Sequence, residues 1–252
     1  MMKIIDFKNV SFSYTNGEPV LKGVTFSVAE GEQVGLIGAN GAGKSTLMKA
    51  ALGLIGVEGE VTVAGLEMSR ANLPAIRKTL GYVLQDADDQ MFMPTVFEDI
   101  IFGPMNYGAS RKDAEKAADD TLAKLNLSYL KNRSNHKMSG GEKRLAAIAT
   151  VLAMEPKVLL MDEPTISLDP LNRRRLINTI NTLAVTKIIA SHDLDFILET
   201  CDRALLLSNG ELAADGAAAK ILQNKKLLEA NNLELPLCMA GIPRRKAGKA
   251  KA

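Results

Sequence analysis

Gly38-Ala39-Asn40-Gly41-Ala42-Gly43-Lys44-Ser45-Thr46 is the stretch on which the reading of this chain turns. A glycine, four residues, then Gly-Lys-Ser is the phosphate-loop pattern. The apolar segment Gln33-Val34-Gly35-Leu36-Ile37 precedes it, and a helical pattern over Ser45–Leu54, stopping at Gly56, follows it. Strand, glycine loop and helix is the order the physics requires. The glycines let the backbone curl so that several N–H groups face one phosphate, and the helix N-terminus adds its partial positive charge. In this pattern Lys44 reaches the β- and γ-phosphates, Ser45 offers its hydroxyl to Mg²⁺, and Thr46 is placed for the α-phosphate. The expected ligand is ATP with Mg²⁺.

Further along, Val158-Leu159-Leu160-Met161 is a short, wholly apolar run that ends in Asp162-Glu163. Strands buried on both faces of a parallel sheet read this way. The carboxyl ends of such strands face the ligand crevice. Asp162 is therefore placed for the Mg²⁺ shell, and Glu163 for polarising an attacking water. A strand that simply ends in polar residues is the plainer alternative, and the phosphate loop upstream weighs against it. Ser139-Gly140-Gly141-Glu142 precedes a helical stretch, Lys143–Leu152. It reads as a capping box, with Ser139 capping and Glu142 reaching back. Yet two glycines in a first helical turn cost stability, up to roughly 1 kcal/mol each, and suggest close approach of an anion. Both readings can hold together.

The rest of the chain alternates strand and helix patterns. Strands are expected at Ile4–Phe7, Val20–Val28, Gly59–Val63, Gly81–Leu84, Lys187–Ala190, Ala204–Leu207 and Glu211–Ala213. Turns are expected at Asn16-Gly17 and Glu30-Gly31, and helices at Leu171–Leu183 and Asp193–Cys201. Thr95 to about Ala153 turns helical, with Ala117, Leu122 and Leu125 as the apolar face of Arg111–Asn126. The alternation implies a mainly parallel α/β sheet. Beyond about Gln223 the pattern weakens.

With 252 residues, 46% hydrophobic and 24% charged, the chain can bury a sizeable core. A net charge of +2 calls for no nucleic acid. Charge concentrates only in Ile242–Ala252, where Arg244, Arg245, Lys246, Lys249 and Lys251 stand with no acid. That segment reads as a solvated terminus or as a contact for anionic lipid. Cys201 and Cys238 have no metal-type spacing and form no disulfide framework. Met1–Asp6 lacks a signal-peptide core, and no run of about 18 apolar residues could span a bilayer.

The order of these motifs resembles the ATP-binding subunit of ABC transporters, over nearly all of residues 3–223. Met138-Ser139-Gly140-Gly141-Glu142 is similar to the ABC signature. Tyr14 matches the aromatic that stacks on adenine, Gln85 the Q-loop glutamine at Mg²⁺ or water, Ser167-Leu168-Asp169 the D-loop, and Ser191-His192-Asp193 the switch histidine. Taken singly, Tyr14 is also an ordinary strand aromatic, Gln85 a surface amide and His192 a loop residue; His136 reads as incidental. The resemblance implies a P-loop ABC ATPase fold with an antiparallel β subdomain and an inserted helical subdomain. It places the ATPase core at 3–90 and 155–223, the helical part at about 91–154 and an extension at 224–252. It implies head-to-tail pairing with a second ATPase subunit, identical or not, so that Ser139 and Gly141 of one chain complete the ATP site of the other.

Gln85-Asp86-Ala87-Asp88-Asp89-Gln90, Pro94-Thr95-Val96 and Phe102-Gly103-Pro104 resemble energy-coupling-factor importers, including cobalt and nickel uptake systems. In that group the segment around Gln90 docks an integral membrane coupling protein beside a substrate-binding membrane component. Met91-Phe92-Met93 then reads either as lobe core or as an adaptable groove for a partner helix. The implied location is peripheral, on the cytoplasmic face of the cell membrane. A vitamin is the alternative cargo. A soluble ABC ATPase is the alternative class, though such proteins usually carry two cassettes or a long coiled coil, which this chain lacks. Met138 stands where leucine is usual, Glu142 where glutamine is commoner, Ser167 where glycine is common, and Ala87 where proline is frequent. None removes a catalytic group.

Overall fold

The computed structural model describes residues 2–15 and 17–241. The basic segment from Ile242 and Asn16 of the first expected turn lie outside the described residues.

Two sheets organise the molecule. β1 (Lys3–Ser13), β2 (Pro19–Ala29), β4 (Glu58–Val63) and β5 (Leu66–Glu67) form an antiparallel sheet in the order β2-β1-β4-β5. Its strands bury alternate residues: Ile5, Phe7 and Val10 on β1 meet Val24, Phe26 and Val28 on β2. Phe7 and Phe26 stack at 4.8 Å. The second sheet contains β3 (Gln33–Ile37), β6 (Leu80–Val83), β7 (Val158–Asp162), β8 (Thr186–Ala190), β9 (Arg203–Ser208) and β10 (Glu211–Ala217). Its order is β10-β9-β3-β8-β7-β6, parallel throughout except for the β9–β10 hairpin.

The second sheet separates two apolar cores. On one side Val34, Leu36, Val158, Leu160, Ile188 and Leu205 join the antiparallel sheet and the helix α1 (Lys44–Ala51). On the other side Ile37, Leu159, Met161, Ile189 and Leu206 meet the helices. Successive residues of β7 thus enter opposite cores, and all five are buried. That two-sided burial is why its sequence is an unbroken apolar run.

The helical region contains α3 (Val96–Asn106), α4 (Arg111–Lys124) and α5 (Gly140–Leu152). Thr95 caps α3 and Ser110 caps α4, each accepting a backbone N–H three residues on. α6 (Pro170–Thr182) and α7 (Leu194–Thr200) follow β7 and β8. Three local expectations need correction. α1 ends at Ala51 rather than Leu54, because the chain turns left-handed at Gly53 (φ 60°). The inner face of α4 is Ala114, Ala118 and Leu122; Ala117 is only half-buried, one position off the stripe. A helix that the pattern misses, α2 (Leu73–Thr79), buries its Ile76 in the core beside the antiparallel sheet.

After α8 (Ala218–Gln223) the chain is ordered: α9 (Lys225–Ala230) buries Leu228 in the helix-side core, and Leu233 and Leu235 pack against it. α10 (Leu237–Ala240) is fastened to α7, where Asp195 accepts the Leu237 and Cys238 N–H groups at 2.8 and 3.0 Å. Both cysteines are free thiols. Among the described residues no helix is long and apolar enough to cross a membrane.

Candidate nucleotide site

Gly38–Gly43 joins β3 to α1, and the loop closes through Gly43, the N-cap of α1 at φ 105°. A residue with a Cβ is strained there. Tyr14, Val20, Asn40–Thr46, Gln85, Glu163, Ile166 and His192 line a cavity of about 560 Å³. Asn40–Thr46 of the expected loop therefore face one space with Tyr14, Gln85, Glu163 and His192; Gly38 and Ala39 do not line it. Tyr14 is half-exposed and packs edge-on to Phe12 at 4.8 Å. The Lys44 ammonium is buried, donating to the Gly38 and Ala39 carbonyls at 2.7 and 3.3 Å.

Parallel pairing of β3, β8 and β7 delivers the acids to this loop. Asp162 lies opposite Ala190, as does Leu36, so the strand ends are level. Glu163 follows β7 in a left-handed conformation (φ 45°), held by its N–H to Ala190 O at 2.8 Å. Strained backbone in a non-glycine residue persists only where its surroundings fix it. Here they do: Glu163 Oε2 accepts from Ser191 Oγ (3.2 Å) and the His192 N–H (3.2 Å) and lies 2.8 Å from His192 Nδ1. Its Oε1 lies 3.7 Å from Lys44 Nζ. With Glu163 ionised, the His192 tautomer that completes this arrangement carries its proton on Nδ1.

Asp162 faces a neighbouring cavity of about 720 Å³ with Ser45, Gln85, Gly140 and Ser167. The Tyr82 hydroxyl donates to its Oδ2 at 3.2 Å. Burial, reinforced by the adjacent Asp162 charge, pushes the Tyr82 hydroxyl well above its ordinary range and keeps it a donor. Asp162 Oδ1 is buried with no hydrogen-bond partner among the described residues. A buried carboxylate oxygen beside a serine hydroxyl and an amide suits Mg²⁺, a hard ion that binds few protein oxygens and retains waters and phosphates. Among the described residues no group of three or more His, Cys, Asp and Glu forms a metal cage.

The Ser139–Glu142 segment forms the capping box in full. Ser139 Oγ accepts the Glu142 N–H, and Glu142 Oε2 accepts the Ser139 N–H at 2.9 Å. That Ser139 N–H, the largest contribution, holds the Glu142 carboxyl below its usual range. Ser139 and Gly140 are exposed while Gly141 is buried. A Cβ on Gly141 would meet Asn172 Cγ at 2.2 Å, whereas one on Gly140 would meet only Ser167 O at 3.8 Å. Asn172 is itself held by Asp169, which caps α6 by accepting the Asn172 N–H at 2.9 Å. Ser167 and Asn172 thus lie beside the Ser139–Glu142 turn of their own chain. Ser167 adopts φ 62°, a geometry that the glycine common at this position in the family takes without strain.

Sequence reasoning missed Tyr82, whose partner is 80 residues away, and Arg144, which donates to Leu84 O and Gln85 O. Neither lies in a local pattern that announces it. Gln90 also turns inward, donating to Ala147 O at 2.7 Å and accepting the Leu84 N–H at 2.9 Å. Phe92, two residues on, is outward and meets Phe102 edge-on at 5.0 Å; Met105 and Tyr107 are exposed as well. Met91 is core, so the two readings of Met91-Phe92-Met93 divide between its residues.

A phosphate loop at the head of a parallel sheet, two acids at the end of the next strand but one and a helix beginning at Ser-Gly-Gly define a nucleotide-hydrolysing cassette. The ABC transporter profile (ABC_tran) matches residues 21–166, and the chain belongs to that family. It is 44% identical over 241 residues to a putative ABC transporter ATP-binding protein of Geobacter sulfurreducens, covering 95% of this chain and 97% of that one. It is 40% identical to the energy-coupling factor transporter ATP-binding protein EcfA of Methanothermobacter thermautotrophicus, covering 92% and 77%. The solved structure of cbiO1 from Clostridium perfringens, part of the ABC transporter complex cbiONQ, superposes with a TM-score of 0.82 at 32% identity, covering 94% and 97%. The chain is an ATP-binding, ATP-hydrolysing subunit of an ABC transporter and falls with the energy-coupling-factor group.

The two glycines should separate in stability measurements. Gly141→Ala drives a methyl into Asn172 and should cost about 1–3 kcal/mol. Gly140→Ala has room and gains helix propensity, and should leave the thermal midpoint level or higher. Equal losses in both variants would contradict the packing described.

Proposed function

We propose that this chain powers a membrane importer of the energy-coupling-factor type, with cobalt or nickel ions as cargo. The observation that carries the catalytic part is the Glu163 carboxylate, with one oxygen held by Ser191 and His192 and the other beside Lys44. A carboxylate fixed in this way can polarise a water for in-line attack on the γ-phosphate. His192 orients it, and Lys44 offsets charge as it develops on the phosphate. Ser45, Asp162 and Gln85 would hold Mg²⁺, which when bound draws charge from the phosphate oxygens. Tyr14 stacks on the base, and the Gly38–Thr46 amides bind the phosphates.

The site needs a second subunit. Ser139, Gly140, Gly141 and Glu142 build a helix start exposed at Ser139 and Gly140, whose amides suit a phosphate brought by the neighbouring chain. Ser167 of the D-loop lies beside that turn, and Asp169 holds Asn172, which packs against Gly141. The partner in the membrane is an integral coupling protein together with a substrate-binding component. Phe92 and Phe102, in edge-on contact, with Met105 and Tyr107, all exposed, supply apolar surface for a partner helix. The cargo rests on the resemblance of the Gln85–Gln90 and Phe102–Pro104 segments.

Glu163→Gln keeps shape and loses the base. It should bind ATP with little change while turnover falls about 100-fold or more; turnover at the wild-type rate would remove Glu163 from its role. For the cargo, vesicles carrying the complete transporter should take up cobalt or nickel in an ATP-dependent way. Uptake of a vitamin and of neither metal would contradict the assignment.

A further inference from the structure

Arg144 stands two residues beyond Glu142 on α5 and is only 4% exposed. A buried cation ordinarily meets a carboxylate, because its desolvation costs several kcal/mol. Here the guanidinium meets two backbone carbonyls instead, Leu84 O at 2.6 Å and Gln85 O at 2.5 Å, and its Nε has no partner among the described residues. Burial lowers its basicity, with Asp86 partly offsetting that. Replacing a buried charge by a well-packed apolar side chain is often neutral or stabilising. Packing alone is therefore a weak reason for an arginine here.

The contacts around it run along one line. Lys143 pairs with Asp88 at 2.5 Å. Gln90 donates to Ala147 O and Thr150 Oγ1 at 2.7 and 2.8 Å while accepting the Leu84 N–H. Leu84–Gln90 is thus fastened along α5, with Arg144 gripping the peptide of Gln85 itself. Ser139 lies five residues before Arg144, about 7.5 Å along the helix axis. A hydrogen-bonded helix over that distance moves as a rigid body.

We propose that Arg144 is a positioning residue that couples two ATP sites: it ties Gln85, serving its own chain's nucleotide, to the helix whose first turn serves the neighbouring subunit's nucleotide. This rests on the shared-site reading given under the proposed function. When Ser139–Gly141 closes on the neighbour's phosphate, α5 shifts, and the planar guanidinium carries that shift to the Gln85 peptide. Lysine, a point charge with no fork, transmits it poorly.

The test measures ATP hydrolysis by the purified full chain against ATP concentration, for wild type, Arg144→Met, Arg144→Lys and Glu163→Gln, with the thermal midpoint of each. Misplacing Gln85 should lower kcat of Arg144→Met about 10- to 100-fold. Its KM for ATP should move far less, its Hill coefficient should fall towards one, and Arg144→Lys should lie between. A lower midpoint with wild-type kcat and Hill coefficient in the folded protein would mean a merely structural role and overturn the proposal. Should Arg144→Met fail to fold, Arg144→Lys decides alone: wild-type kcat and cooperativity there overturn it. If Glu163→Gln loses hydrolysis while Arg144 variants keep wild-type behaviour, the coupling fails and the site reading stands. If Glu163→Gln hydrolyses ATP normally, the site reading itself has failed.

Discussion

Parallel pairing of β3, β8 and β7 is the constraint on which the rest depends. Leu36 and Asp162 both stand opposite Ala190, so three chain segments leave the sheet side by side. One becomes the phosphate loop, one Asp162-Glu163 and one Ser191-His192. A one-residue slip in any of these strands would reverse its faces between two cores and remove its side chain from the cavity. Burial on both faces makes such a slip costly, so the energy that fixes the sheet also fixes the chemistry. The Glu163 N–H to Ala190 O bond extends this pairing one residue past the strand and sustains the left-handed backbone at Glu163.

What was legible in the sequence follows from how local each signal is. Gly38–Thr46 carries its whole geometry in nine consecutive residues, and Val158–Met161 announces two-sided burial by composition alone. The capping box at Ser139–Glu142 spans one helical turn and could be read directly. The face of α4 could not be fixed as well, because alanines at 114, 117 and 118 fit neighbouring stripes and only packing chooses between them. α2 and β5 are too short to show a period. Tyr82 and Arg144 were hidden for another reason: their partners are distant in sequence, and in the case of Arg144 they are carbonyls, which every residue has. Gln90, within the segment that the resemblance assigns to docking, turns inward instead: its amide serves the Leu84 N–H and the Ala147 carbonyl of α5.

Two small residues carry different burdens in the same turn. Gly141 is small because α6 passes against it, and Gly140 is small with space around it. The first follows from the fold of one chain. The second finds no explanation inside the chain and gains one if a phosphate approaches from outside. The same division holds at the other end of the helical region, where Met91 fills the core while Phe92 and Phe102 stay outward. The surfaces left unexplained by packing are those expected to meet a second subunit and a membrane partner.

The central claim is that Gly38–Thr46 forms half of a catalytic site. Specific ATPase activity measured as a function of protein concentration, with the association state followed by sedimentation, tests it most directly. The account predicts that the isolated monomer binds ATP and hydrolyses it poorly, and that hydrolysis rises more than linearly as chains associate. Constant specific activity in a protein shown to remain monomeric would contradict it.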